Sequence, residues 1–202
     1  VKNDWTGNYK STFTTLGASN HTANEREVND YYATAPEAID VLINDGGANL
    51  APNLWEVSCG EGHLSERLKQ YGYNVKSTDL IDRGYGVGGI DFLKCTDKFD
   101  GDIITNPPYK CGLQFIEHGL ELIPDGRKVF MFLKLTFLEG KKRRKLFDSG
   151  CLKTLYVSSS RILCAKNGDF ERMKAGGGSA VAYGWYEFEK GYKGNPIIKW
   201  IN

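Results

Sequence analysis

Residues 102–109 read Asp102-Ile103-Ile104-Thr105-Asn106-Pro107-Pro108-Tyr109. A short apolar run ends abruptly in an amide, two prolines and an aromatic ring. The run predicts a buried strand, and the four residues after it predict what stands at the strand's end. Two prolines fix φ and remove two amide donors, so the carbonyls beside them can accept hydrogen bonds from a ligand. Asn106 adds a side-chain amide and Tyr109 a stacking surface. Such a set suits a flat ligand held by an exocyclic amino group. The same four residues also suit a plain strand-to-helix turn, and the surroundings have to choose between the two.

Outward from this stretch, strand patterns alternate with helical ones. Thr34-Ala35-Pro36-Glu37 predicts a helix start, with Pro36 in the first turn and the helix running to about Asn44. Residues 54–57 predict a first strand, and Gly60 and Gly62 a turn. Leu64 and Leu68 lie on one face of an amphipathic helix. Further strands are expected at 74–78, near Gly89-Ile90, at 102–105, 128–135, 152–158 and 180–188. Helical patterns cover 113–122 and, in a basic segment, about 140–147. This order implies an α/β fold with a doubly wound, mostly parallel seven-stranded sheet. Ligands of such sheets sit outside the carboxyl ends of the strands. Glu56, Asp79, Asp91 and Asn106 each fall at or near such an end, so four polar groups from four strands are expected around one crevice.

The totals set the class. The chain has 202 residues, 25% of them charged and 41% hydrophobic, which suits one domain with a core. Residues 1–29 are polar and aperiodic and are expected to form an N-terminal arm that packs through Trp5, Tyr9 and Phe13. Residues 30–202 form the domain. No apolar run is long enough to span a membrane, and the polar opening predicts a cytoplasmic protein without a signal peptide. The 5 cysteines include no C-x-x-C pair, and the 3 histidines are isolated, so no metal site is expected. Net charge is +1. Basic residues nevertheless cluster at Lys141-Lys142-Arg143-Arg144-Lys145, either as a solvated helix face or as a phosphate-contacting patch. The glycine-rich stretch 166–179 reads either as a hairpin connection or as a lid over the substrate.

The turn Glu56-Val57-Ser58-Cys59-Gly60-Glu61-Gly62 lets backbone approach a ligand closely. It is not the dinucleotide fingerprint, because Ser65 stands where the third glycine belongs, and it is not a phosphate loop. Asp79 fits a ribose diol. Asp91 and Phe92 fit an adenine, one as acceptor and the other as apolar wall.

With these motifs in this order, the chain resembles S-adenosylmethionine-dependent DNA methyltransferases of the amino-group class, close to the small single-domain enzymes of phages and prophages. The resemblance covers roughly residues 30–200 and implies a Rossmann-like class I methyltransferase fold whose seven-stranded sheet has its last strand, at 180–188, antiparallel. Tyr31-Tyr32-Ala33-Thr34-Ala35-Pro36 resembles the family's motif for the methionine end of the cofactor. The 56–62 turn resembles its main cofactor loop, and Asn106-Pro107-Pro108-Tyr109 its target motif. Val57 stands where the family more often has proline. No stretch is long enough for the separate target-recognition domain of the larger members.

The resemblance implies S-adenosylmethionine as cofactor. Its contacts would be Tyr32, Thr34, Glu56, Ser58, Cys59, Gly60, Gly62, Asp79, Asp91, Phe92 and Asn106. Asn106, Pro107 and Tyr109 would act at the N6 amino group of adenine, and Pro108, Tyr109, Lys110 and Arg161 would touch the substrate. Arg161 fits a surface salt bridge equally well. The implied partner is DNA, either a duplex with a flipped adenine or a single strand, within a bacterial or phage-infected cell. A homodimer or a separate specificity subunit is compatible with it. Cytosine N4, RNA or a protein glutamine as methyl acceptor, and a cofactor-binding module without catalysis, are the alternatives.

Overall fold

A computed structural model describes residues 32–162, 164–166 and 181–202. The expected arm at 1–29 lies outside the described residues, as does the glycine-rich stretch beyond Lys166. Seven strands form the main sheet: β2 (Asn53–Glu56), β3 (Asn74–Ser77), β4 (Asp102–Thr105), β5 (Lys128–Lys134), β6 (Leu152–Ser158), β8 (Tyr183–Glu189) and β9 (Ile197–Ile201). Their order is β3-β2-β4-β5-β8-β6-β9. Six run parallel, and β8 lies antiparallel between β5 and β6. Two short strands, β1 (Tyr32–Thr34) and β7 (Cys164–Lys166), pair antiparallel as a separate ribbon.

Burial follows the two-residue period of a sheet covered on both faces. In β5, Val129, Met131 and Leu133 join one core, while Phe130 and Phe132 join the other. Ile103 and Ile104 of β4 divide in the same way. One face is covered by α3 (Gly112–Leu122), which buries Phe115, Ile116, Gly119 and Leu122. Gly119 packs closely there: a Cβ would stand 3.1 Å from the Val129 side chain. The other face is covered by α1 (Glu37–Asp40), which continues as a π-helical turn over Val41–Asp45, and by α2 (His63–Gln70). Asp40 joins these two helices: Arg67 donates to both of its oxygens, at 2.7 and 2.9 Å, and Tyr71 to one at 2.8 Å.

Two elements differ from the sequence expectation. No strand forms at Gly89-Ile90; an isolated bridge between Thr78 and Val87 is the only strand-like pairing near it. Gly84, Gly86 and Gly89 adopt positive φ (78°, 66° and 75°), which curls the segment instead of extending it. The seventh strand is β9, at the opposite edge. The basic segment is also shorter in α-helix than expected. Lys141–Arg143 form a 3-10 turn, and only Arg144–Asp148 form an α-helix, α4. Among the described residues, no helix is long and apolar enough to cross a membrane.

Candidate functional site

The carboxyl ends of β2, β3 and β4 surround a cavity of about 460 Å³. Twelve of the residues singled out in the sequence line it: Thr34, Glu56, Ser58, Cys59, Asp79, Asp91, Phe92, Asn106, Pro107, Pro108, Tyr109 and Lys110. Gly60, Gly62 and Arg161 are not among its lining residues, and the Tyr32 side chain lies outside what the structure describes. Tyr32 lies in β1, opposite Lys166. Arg161 is exposed, three residues beyond β6. The two glycines shape the turn from behind. Gly62 has φ 86° and caps α2, and a Cβ there would meet the Tyr85 ring at 2.5 Å. Tyr85 is held in place by hydrogen bonds with Glu66 and Lys69.

Each strand end contributes a differently prepared group. Glu56 closes β2 and is only 2% exposed. Its carboxyl accepts a very short hydrogen bond from the Ser65 hydroxyl, which lies 2.6 Å from that of Ser77. Burial pushes the Glu56 carboxyl up to about 8, and the Ser65 hydrogen bond offsets only part of this. Asp79, two residues past β3, accepts from the Gly60 amide at 2.8 Å and the Ile81 amide at 2.9 Å. It therefore ties the 56–62 turn to the next loop. Each of its oxygens keeps a second lone-pair direction. Asp91 caps a 3-10 turn through the Leu93 amide and pairs with Lys94 at 3.1 Å.

The Cys59 thiol is pushed up to about 12, first by burial and then by the nearby Glu56 and Asp79 carboxylates. That suits a packing residue and not a nucleophile. Phe92 packs edge-on against Trp55 and is 2% exposed, so it is a wall of the cavity built from the core.

The 106–109 segment is braced from two sides. The Ser58 hydroxyl donates to the Asn106 carbonyl at 3.1 Å and lies 2.6 Å from the Thr105 hydroxyl. The Asn106 side-chain nitrogen donates to Thr34 Oγ1 at 2.9 Å. Pro107 is buried, and Pro108 and Tyr109 are half-buried. The Tyr109 ring lies 5.8 Å from that of Tyr183, with the Lys134 ammonium 5.1 Å from its centroid. Burial raises the Tyr109 phenol well above its ordinary range.

Sequence reasoning missed the loop that follows Asp79. Leu80, Ile81, Arg83 and Ile90 line the cavity, and Leu80 is 58% exposed. The signal was the apolar pair Leu80-Ile81 immediately after a strand-end acid. It also missed Cys164, whose thiol reaches both Asn106 and Tyr109. No local spacing marks that cysteine.

No family model matches the chain, and no curated protein matches it in sequence. Solved structures do match. A candidate class I S-adenosylmethionine-dependent methyltransferase from Listeria monocytogenes superposes with a TM-score of 0.58 at 13% identity, covering 94% of this chain and 71% of that one. A candidate RNA methyltransferase from Pyrococcus horikoshii gives 0.55 at 14% identity, covering 90% and 97%. The modification subunit of a candidate type I restriction enzyme from Vibrio vulnificus gives 0.55 at 11% identity, covering 93% of this chain and 49% of that one. The chain thus spans about half of that subunit. The strand order with its single reversed strand, the cavity at the carboxyl ends and these superpositions place the chain in the class I methyltransferase fold.

Proposed function

We propose that the chain transfers a methyl group from S-adenosylmethionine to the N6 amino group of adenine in DNA. The observation that carries this reading is one cavity lined both by Asn106-Pro107-Pro108-Tyr109 and by Glu56, Asp79 and Asp91. Carboxyl groups at the end of β2, past the end of β3 and at the cap of the 3-10 turn after Asp91 offer partners for an ammonium and a ribose diol, so the residues fit this cofactor. When bound, it supplies an electrophilic methyl group on a positively charged sulfur.

The chain's own residues prepare the acceptor. An adenine amino nitrogen is a poor nucleophile because its lone pair is delocalised into the ring. The Asn106 side-chain carbonyl and the Pro107 main-chain carbonyl accept its two hydrogens, which localises the lone pair on nitrogen. Tyr109 supports the base by stacking. The rate then comes from positioning and from preorganised acceptors. A duplex target has to be flipped out of the stack first. The match to the modification subunit of a candidate restriction enzyme supports DNA as the acceptor, with a homodimer or a separate specificity subunit as the compatible assemblies. The Pyrococcus neighbour, matched over almost its whole length, makes RNA the acceptor in the second reading.

The test offers labelled S-adenosylmethionine with unmethylated duplex DNA and, separately, with RNA, followed by nucleoside mass spectrometry. N6-methyladenine in DNA is the expected result. Label in RNA alone moves the assignment to the second reading. No label in either, with the cofactor bound, overturns both.

A further inference from the structure

Cys164 lies 58 residues from Asn106 in sequence, yet its sulfur is 3.5 Å from the Asn106 side-chain nitrogen. The same sulfur is 3.1 Å from the Tyr109 hydroxyl. Cys164 and Thr34 are direct cross-strand partners in the β1–β7 ribbon. Both are buried, at 2% and 3% exposure. Directly opposed side chains of an antiparallel pair share a face, so Thr34 Oγ1 and Cys164 Sγ meet the Asn106 amide together. Its nitrogen donates to the first at 2.9 Å and to the second at 3.5 Å.

An asparagine amide has two orientations that differ by a half-turn, and only one presents its oxygen to a substrate amino group. A flipped amide would set a donor against a donor and could not draw hydrogens away from an adenine. In the observed orientation Thr34 and Cys164 both accept at the nitrogen end. Through the Tyr109 hydroxyl, the same thiol fixes the neighbouring ring. We propose that Cys164, with Thr34 beside it, is a positioning residue that holds Asn106 and Tyr109 in their reactive arrangement. This rests on the proposed adenine methylation for its effect on rate, but the geometry it asserts is independent of any substrate.

The experiment compares the full chain with Cys164→Ala and Cys164→Ser. Cofactor affinity, the single-turnover methyl-transfer rate on duplex DNA, and the Asn106 side-chain amide resonances in 15N-labelled protein are read for each. Cys164→Ala is expected to slow transfer by about tenfold, the size of one lost buried hydrogen bond, with cofactor affinity kept. The Asn106 amide resonances shift and their protection from exchange falls. Cys164→Ser, which keeps an acceptor, recovers part of both losses.

The proposal is overturned by a Cys164→Ala protein with unchanged Asn106 resonances, or by a rate that falls only in step with stability or cofactor affinity. If the unaltered chain methylates neither DNA nor RNA, the methylation reading fails, and the resonances alone then decide whether Cys164 holds the amide. Should Cys164→Ala not fold, Cys164→Val, which fills the space without an accepting atom, carries the same comparison.

Discussion

The Ser58 hydroxyl donates to the main-chain carbonyl of Asn106 at 3.1 Å, which joins the turn after β2 to the motif after β4. One side chain thereby ties the 56–62 turn to the 106–109 segment. Ser58→Ala is expected to lower cofactor affinity and methyl transfer together, with about 1 kcal/mol lost in stability. Calorimetric titration, turnover and urea unfolding of the same preparation check this.

Asn106→Ala separates what Ser58→Ala couples. Under the proposed reading it keeps cofactor binding and lowers turnover by about 100-fold or more, as for the loss of one preorganised polar group in an active site. Normal turnover in that variant would remove Asn106 from its role.

Asp79 braces the Gly60 and Ile81 amides from the end of β3. Replacing it with alanine removes both the brace and the carboxylate at the cavity. Cofactor affinity should drop by about tenfold or more, since hydrogen bonds to a charged group contribute more than neutral ones. An unchanged dissociation constant would take Asp79 out of the cofactor site.

Glu56 gives a pH signature with a definite sign. Its carboxyl is raised from 4.5 to about 8 in the folded chain, mainly by burial. The folded state therefore holds a proton that the unfolded state releases. The stability this contributes is complete below about 4.5 and falls away as pH rises through about 8. Glu56→Gln should flatten that slope, an effect of a few kcal/mol at most, roughly. Denaturation midpoints from pH 5 to 9, compared between the two proteins, give the answer; an unchanged slope would assign it to another group.

Gly62→Ala tests the turn itself. At φ 86° an added Cβ is strained, and it would stand 2.5 Å from the Tyr85 ring. A loss of about 1–3 kcal/mol is expected by urea unfolding. Tyr85→Ala in the same background should return part of it by removing the clash.

Much of the fold was legible in the order of the residues. The unbroken apolar run of β5 implied a strand covered on both faces, and its side chains do divide between the two cores. The helix at 113–122 was legible from its apolar spacing, and the observed α3 begins one residue earlier. The strand expected at Gly89-Ile90 does not form, because Gly84, Gly86 and Gly89 take positive φ and curl the chain. The edge strand β9 carries no two-residue burial period, since Ile197, Ile198 and Trp200 are all exposed, so its sequence pattern was silent.

By itself the sequence determined which polar groups stand near the ends of β2, β3 and β4, because a strand end and the residue after it are neighbours in the chain; Asp91, expected at a fourth strand end, caps a 3-10 turn instead. Glu56, Asp79, Asp91 and Asn106 could all be named from local spacing, and they do meet around one cavity. Only the tertiary structure decided what state those groups are in. The protonation of Glu56 depends on burial and on Ser65 across the first turn of α2. The orientation of the Asn106 amide depends on Thr34 and Cys164, 72 and 58 residues away. Periodicity reports the face on which a side chain lies, whereas desolvation and hydrogen bonding depend on which distant segments close over it.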